Sequence, residues 1–297
     1  MARRNVLITG CSSGIGFALA VKMAKDEQKR FKVYATMRNL AKKEPLEEAA
    51  GDRLGKTLEI KQLDVCDEQS IKTCVNSIPD RRIDVLGKYT INAGMGLIGP
   101  IECQTIEEMK TVMDTNFFGL VRLLKEILPD MKRRKSGHIV IISSVMGIQG
   151  KLKDNKLLRQ FTDKKGPVVT EFERKVFEDG MKMDLSAADE ETAEMFTNIY
   201  LKNYKQIFQS LGQSAEDVAE HTVKIILADN PPFRHQTNTL YTPMTTLKYA
   251  DPNGDLPIDI FYKMVFHHDK IFSASLNFIK LLRWRSRKSF DLGKPSQ

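Results

Sequence analysis

Residues 6–16, VLITGCSSGIG, constrain this chain more than any other stretch, because an apolar run leads into a glycine-rich turn and then directly into a helix-forming segment. Val6, Leu7 and Ile8 read as a buried strand. Gly10, Gly14 and Gly16 let the main chain come close to a pyrophosphate, and Ile15 to Ala24 provide a helix whose N-terminal amides face it. Thr9, Gly10, Ser12, Ser13, Gly14, Ile15 and Gly16 are therefore the candidate dinucleotide contacts of the turn. A glycine turn alone is also compatible with a purely structural role, so its surroundings must carry the reading.

Those surroundings alternate strand and helix through residue 144. After the first strand and helix come Lys32–Thr36 and Leu58–Leu63 as strands, Glu68–Ile78 as a helix, and a fourth strand from Ile83 to Leu86. Thr105 and Glu108 form a capping box that opens a long helix toward Met131, and His138–Ser143 is a fifth strand. The order predicts an α/β, Rossmann-type, doubly wound parallel sheet with helices on both faces. With 297 residues and 41% hydrophobic content the chain can bury one core as a single domain. Residues 1–150 are then the cofactor-binding half, and 166–297 a helical, substrate-binding part. Past Gly150 the pattern fails, because KLKDNKLLRQFTDKK carries six lysines or arginines and no strand-like alternation. The sheet is expected to be incomplete there. Farther on, helices are expected from Ser186 and Ser214.

Composition narrows the function classes. The net charge of +8 comes from 46 basic and 38 acidic residues that are mostly interspersed, with runs only at Lys132–Lys135 and Arg283–Lys288. Nucleic-acid binding on charge alone is not favoured. The four cysteines, Cys11, Cys66, Cys74 and Cys103, have neither paired spacing nor a histidine cluster, so no metal is expected and reduced thiols in the cytosol are. The charged start leads into only three apolar residues, so no signal segment is expected, and no apolar run reaches the ~18 residues of a membrane span. Residues 271–288 place Ile271, Phe272, Leu276, Ile279 and Leu282 on one helical face that ends in the basic run. A helix packed on the domain is favoured there over peripheral membrane contact.

The spacing Thr-Gly-x-x-x-Gly-x-Gly resembles that of the short-chain dehydrogenases/reductases, and later segments repeat the likeness in order. CSSGIG, ATMR, NAGMGLIGP, TNFFG, MKRRKSGHIVIISSVMG, GPVVTEF and TPMTTLK together resemble the retinol and 17β-hydroxysteroid dehydrogenase branches over nearly the whole chain. The resemblance implies an adenine contact at Asp64 and Val65 and a cofactor-adjacent turn at Asn92, Ala93 and Gly94. It also implies a structural and proton-relay asparagine at Asn116, a catalytic serine at Ser144, and cofactor contacts at Val168 and Thr170. It further implies a homodimer, and a carbonyl and alcohol interconverted on a long apolar substrate, all-trans-retinal/retinol or an estrone/estradiol type. Met95, Leu97, Met146, Phe172 and the segment near Phe196 are the apolar residues expected around that substrate.

Cofactor choice follows from the end of the second strand, which is acidic when a ribose 2′-hydroxyl must be bound and basic when a 2′-phosphate must be. Here it is Arg38. A guanidinium pairs bidentately with phosphate, which favours NADP(H), and Ser12 and Ser13 can add hydroxyl contacts.

One departure stands out. The family's proton-transferring Tyr-x-x-x-Lys is absent: four residues after the seven tyrosines come Arg38, Ala93, Tyr204, Phe208, Thr245, Asn253 and Phe266. Counted from Ser144, the tyrosine would fall near Leu157 and the lysine near Phe161. The segment at 86–92, LGKYTIN, also departs from the family's short apolar run. A mis-spliced or impaired member, acting by cofactor binding or dimerisation and poorly stable for want of a strand, is the competing expectation.

Overall fold

The computed structural model describes residues 3–89, 96–144, 159–165, 168–242, 245–246, 250–251, 260, 263 and 268–291. Its centre is a sheet of parallel strands. β1 (Arg4–Ile8), β2 (Phe31–Met37), β3 (Leu58–Gln62), β4 (Val85–Tyr89), β5 (His138–Ser144), β6 (Arg159–Lys165) and β7 (Arg234–Gln236) lie in the order β3-β2-β1-β4-β5-β6-β7. The order reverses between β1 and β4, where Ile8 pairs with Gly87. That reversal is the switch point at which doubly wound sheets open a crevice beyond their strand ends.

Alternation along β1 decides which helices cover which face. Val6 and Ile8 belong to one buried cluster with Leu19 and Met23 of α1 (Gly14–Ala24), Leu46 of α2 (Glu44–Ala50) and Val218 and Ile226 of α9 (Ala215–Leu227). Leu7 points the other way. It joins Ile71 and Val75 of α3 (Glu68–Asn76) and Leu123, Ile127 and Met131 of α5 (Gly119–Arg133). Strands apolar on both faces are what a sheet covered on both sides requires.

The capping box at Thr105 opens α4 (Ile106–Met113), which runs through a π-helical turn at Asp114–Phe118 into α5. Ser214 caps α9 with its own box to Asp217. Ser186 opens no helix. Asp189 instead accepts from the Thr192 amide and caps α7 (Glu190–Glu194), because a carboxylate two residues before Glu191 suits a helix start better than Ser186, whose own amide donates to Asp184. α6 (Glu171–Met181), a π-helical turn at Met195–Tyr200 and α8 (Leu201–Leu211) follow in the C-terminal half.

The expected break in the sheet does not occur. β6 pairs with β5 from His138–Arg159 to Ser144–Lys165 and with β7 from Thr162–Arg234 to Lys164–Gln236. A strand flanked on both sides satisfies its amides and carbonyls whatever its side-chain pattern, so the charged run RQFTDKK is no obstacle. Phe161, where the family's lysine was expected, stands opposite Val140 in this strand, and Leu157 lies outside the described residues.

The last helix, α10 (Asp269–Asp291), packs through Phe272 and Leu276 against Ile199, Ile207 and Leu211, and the Ser273 hydroxyl donates to Gln206 at 2.8 Å. Ile271, expected on the packed face, is 71% exposed, and Phe278 and Leu281 are exposed with it. Among the described residues no helix is long and apolar enough to cross a membrane.

Candidate cofactor and substrate site

The site lies along the C-terminal ends of the central strands. At the end of β1 the Thr9 amide donates to the Gly87 carbonyl at 3.1 Å and the Cys11 amide to the Thr36 carbonyl at 2.9 Å, while the Thr36 hydroxyl donates to Ile8. These bonds pin the turn to β2 and β4. Gly10 (φ 69°) and Gly14 (φ 57°) take left-handed backbone that an L side chain rarely adopts. A Cβ on Gly16 would sit 2.4 Å from the Gly10 carbonyl oxygen, so the first turn of α1 reaches the loop only because that atom is missing.

Ser13 is the N-cap of α1, in extended backbone, and its side chain makes no capping bond. Ser12 and Ser13 are half-buried. Ile15, by contrast, turns its side chain into the core at 1% exposure, so only its main chain is offered to a ligand. The arrangement presents helix amides, two serine residues and a backbone close enough for a pyrophosphate.

Arg38 follows β2 with its side chain exposed, and its carbonyl accepts from Gln62 at 3.2 Å. It lines a cavity of about 740 Å³ together with Asp64, Cys66, Met109, Lys110, Met113 and Thr115. Two residues chosen from separate motifs thus border one space. One Asp64 oxygen accepts from the Cys66 amide at 2.9 Å in a tight local turn, and the cap of α3 is Asp67, which accepts from Gln69. Val65 is buried, and Gly119 lets α5 approach it, since a Cβ there would meet Val65 Cγ2 at 2.8 Å. The Arg122 guanidinium donates to Asp114 at 2.6 Å and holds that carboxyl below the usual range, while burial pushes the neighbouring Cys66 thiol up.

Asn116 lies in the π-helical turn before α5, an insertion that shifts the helix face by one residue at the position the motif singles out. Ser144 is the last residue of β5, half-buried, at the same end of the sheet as the glycine turn. Val168 is buried and bridges to Gln213, and Thr170 caps α6 by accepting from the Glu173 amide. Asn92, Ala93, Gly94, Met95 and Met146 lie outside the described residues. Among the described residues no group of three or more His, Cys, Asp or Glu is placed to hold a metal ion.

On the substrate side, Leu97, Ile98, Gly99, Pro100, Met195, Phe196 and Tyr200 border a cavity of about 440 Å³. Phe172 and Val176 of α6 close on Gly96, where a Cβ would meet them at 2.9 and 2.7 Å. Of the apolar residues expected around a substrate, Leu97 and Phe196 border this cavity and Phe172 packs on Gly96 beside it; Tyr200, which borders it too, was not among them. The aromatic spacing Phe196, Tyr200, Tyr204, Phe208, four residues apart each time, could have pointed to it.

A doubly wound parallel sheet with a glycine turn at its switch point and a basic residue closing β2 defines a dinucleotide-binding architecture. Comparison with known proteins agrees. The model of the short chain dehydrogenase family matches residues 4–154. Retinol dehydrogenase 8 of Bos taurus is 43% identical over 297 residues, covering 93% of this chain and 94% of that protein. The 17-beta-hydroxysteroid dehydrogenase type 1 of Homo sapiens is 36% identical over 290 residues, covering 90% and 87%. Among solved structures, a short-chain dehydrogenase from Streptomyces avermitilis superposes with a TM-score of 0.64 at 21% identity, over 86% of this chain and 95% of that one. The closed form of serine dehydrogenase complexed with NADP+ gives 0.58 at 25% identity, over 78% and 93%. The chain belongs to the short-chain dehydrogenase family, as an oxidoreductase related to retinol and 17-beta-hydroxysteroid dehydrogenases.

Proposed function

We propose that this single-domain chain is an NADP(H)-dependent oxidoreductase that interconverts a carbonyl and an alcohol on a long apolar substrate of retinoid or steroid type. The observation that carries the cofactor choice is the exposed Arg38 at the end of β2 sharing one cavity with Asp64. The residues fit the group: the cradle at Gly16 admits no Cβ, Ser13 has no capping bond, and Arg38 offers a fork suited to a 2′-phosphate. The serine dehydrogenase noted above is a relative in fold with NADP+ bound, which supports the same choice.

When bound, the nicotinamide supplies or accepts hydride at the substrate carbon. The amides at the start of α1 hold the pyrophosphate and Asp64 and Val65 border the adenine. Val168 and Thr170 are further cofactor contacts in this reading, as are Asn92, Ala93 and Gly94 by family resemblance. Ser144 hydrogen-bonds the substrate oxygen, and Asn116 holds the proton-relay position. No Tyr-x-x-x-Lys pair stands in the chain to move the proton. A missing general acid typically costs ~10²–10⁴ in rate, so turnover is expected well below the family's usual level.

Homodimerisation is part of the proposal. Ile101 and Phe117 are 74% and 50% exposed outside the cavity that Arg38 and Asp64 share, apolar groups suited to a second copy. A cytosolic location with peripheral membrane contact through residues 271–288 is also proposed, supported by the exposed Ile271, Phe278 and Leu281 before the basic run. The test is to titrate NADPH by fluorescence and assay all-trans-retinal and estrone at high enzyme concentration. Slow turnover of either supports the reading; NADPH binding with no turnover of both leaves the impaired, binding-only member.

A further inference from the structure

Because the strands are parallel, the loops that lead into them all meet at one end of the sheet, opposite the end that carries the glycine turn. Arg3 precedes β1, Lys25 and Lys29 precede β2, Lys56 precedes β3, and Lys132 and Lys135 precede β5. All six are exposed, and their side chains carry no ion pair among the described residues. Five neighbouring strands at a spacing of ~4.8 Å spread these loops over roughly 19 Å. None of the six borders either cavity described above.

Several carboxylates at this end are turned inward, onto arginines. Asp26 accepts from Arg30 at 3.0 Å, Asp84 from Arg82 at 3.0 Å and Arg134 at 3.2 Å, and Asp130 from Arg81 at 3.1 Å. The three carboxylate side chains are only 10%, 9% and 16% exposed, so they do little to offset the lysines in solvent. Glu27, Asp52, Asp80 and Asp229 are exposed, but Asp52 pairs with Arg53 at 3.4 Å, and the outer layer stays positive. The backbone is strained in the same place. Among the described residues Lys29, Asp80, Arg81 and Lys135 are the non-glycine positions in left-handed backbone, at φ 51°, 53°, 52° and 50°, and all four stand on these loops. At the end of α5 the Ser136 amide donates to Met131 at 3.1 Å and the Lys135 amide to Lys132 at 3.0 Å, a helix ending whose left-handed residue is ordinarily glycine. The helix dipole attracts Lys25 and Lys132, but it accounts for neither Arg3 and Lys56 nor for lysine where glycine is easier.

We infer that this end of the sheet docks on an anionic phospholipid surface, with the cofactor end facing away from it. Compact ammonium groups spread across five strands match a flat field of negative charge, whereas a single anionic ligand is better served by arginine forks converging on it. Here the forks are occupied by carboxylates and the lysines are left outside. The contact is electrostatic, and it is independent of the apolar one proposed for residues 271–288.

The test titrates the full chain with phosphatidylcholine vesicles, with and without phosphatidylserine, at low and at high salt. Binding is expected to be about 10-fold or more tighter with phosphatidylserine, a margin that closes as salt rises. Lys29→Gly combined with Lys135→Gly removes two charges and relieves two left-handed positions. Its Tm is expected to hold or rise while affinity for the phosphatidylserine vesicles falls about 25-fold. Lys56→Gln, where no left-handed backbone is involved, is expected to cost about 5-fold and guards against a folding effect. Ile271→Asp, in the other proposed contact, should leave the phosphatidylserine margin in place. NADPH affinity should agree within about 2-fold between free and vesicle-bound chain, because the cofactor end faces away. Equal binding to both vesicle types, binding to neither, a margin untouched by the lysine variants or lost on Ile271→Asp, or a loss of NADPH affinity on vesicles would overturn the inference. So would a duplex oligonucleotide that binds more tightly than the vesicles and is lost with the same lysines.

Discussion

The half of the molecule around β1, β2 and α1 and the half built from α6, α8 and α10 bury their side chains in different ways. In the first, Val6, Leu7, Ile8, Leu19, Val33 and Ala35 are all 0% exposed and share continuous clusters with both helical layers. In the second, the cluster under α10 contains two buried residues, Phe272 and Leu276, while Val169, Met181, Phe278 and Leu281 remain more than half exposed. A dinucleotide has one shape, and its seat is held by a dense core. The second half, to which we assign the substrate, is made of helices resting on that core, with apolar side chains left exposed.

The largest test of this contrast is in stability. Leu19→Ala empties a fully buried site and is expected to cost ~2–5 kcal/mol in the global transition. Leu276→Ala, 2% exposed in the smaller cluster, is expected to free α10 locally, seen as early proteolysis near the C-terminus with a smaller fall in Tm. Equal falls in Tm would mean that the two halves melt as one unit.

Next comes Gly16→Ala, whose new Cβ meets the Gly10 carbonyl at 2.4 Å. Strain of ~1–3 kcal/mol is expected, expressed as a 10- to 100-fold loss of NADPH affinity with estrone affinity in the second half little changed. Arg38→Ala is expected to lower the preference for NADPH over NADH by about 10-fold or more, with NADH binding unaffected; an unchanged preference would refute the 2′-phosphate contact.

The smallest expected effects are in pH dependence, and the two halves have opposite signs. Arg30 donates to the Asp26 carboxylate at 3.0 Å and holds its pKa down. The stability it adds is complete above the ordinary aspartate value near ~4 and is lost as pH falls through the depressed folded value. Burial holds the Glu173 carboxyl up. Its folded form keeps the proton after the unfolded chain has lost it, so stability declines as pH rises from the ordinary glutamate value near ~4.3 to the raised one. Urea melts of Asp26→Asn should flatten the acid side of the profile and those of Glu173→Gln the side above it, each by less than about 1 kcal/mol.

The same contrast governs how much the sequence revealed. The turn at 10–16, Arg38, Asp64 and the boxes at Thr105 and Ser214 are local chemistry, readable one motif at a time. β6 was not readable, because RQFTDKK becomes a strand through its neighbours β5 and β7 and carries no period of its own. Helix α10 was half readable: Phe272 and Leu276 pack as its periodicity implies, but Ile271 lies on the opposite side of a helix that is apolar on two faces. Tyr200 escaped because a stripe of aromatic residues at helical spacing is ordinarily a core signal, and only the folded chain shows that it borders a cavity.

The thiol beneath the glycine turn offers a clock. Cys11 is fully buried, donates to the Ile8 carbonyl at 3.3 Å, and has its pKa pushed up to about 12 by burial, so a thiol reagent finds it neither accessible nor ionised while the turn is closed. Cys66 is exposed and reacts without waiting. In the ligand-free protein the delay between the two labels at alkaline pH therefore times the opening of the cradle itself, and a ligand seated on the turn should slow the Cys11 label by a factor of about 1 + [L]/Kd.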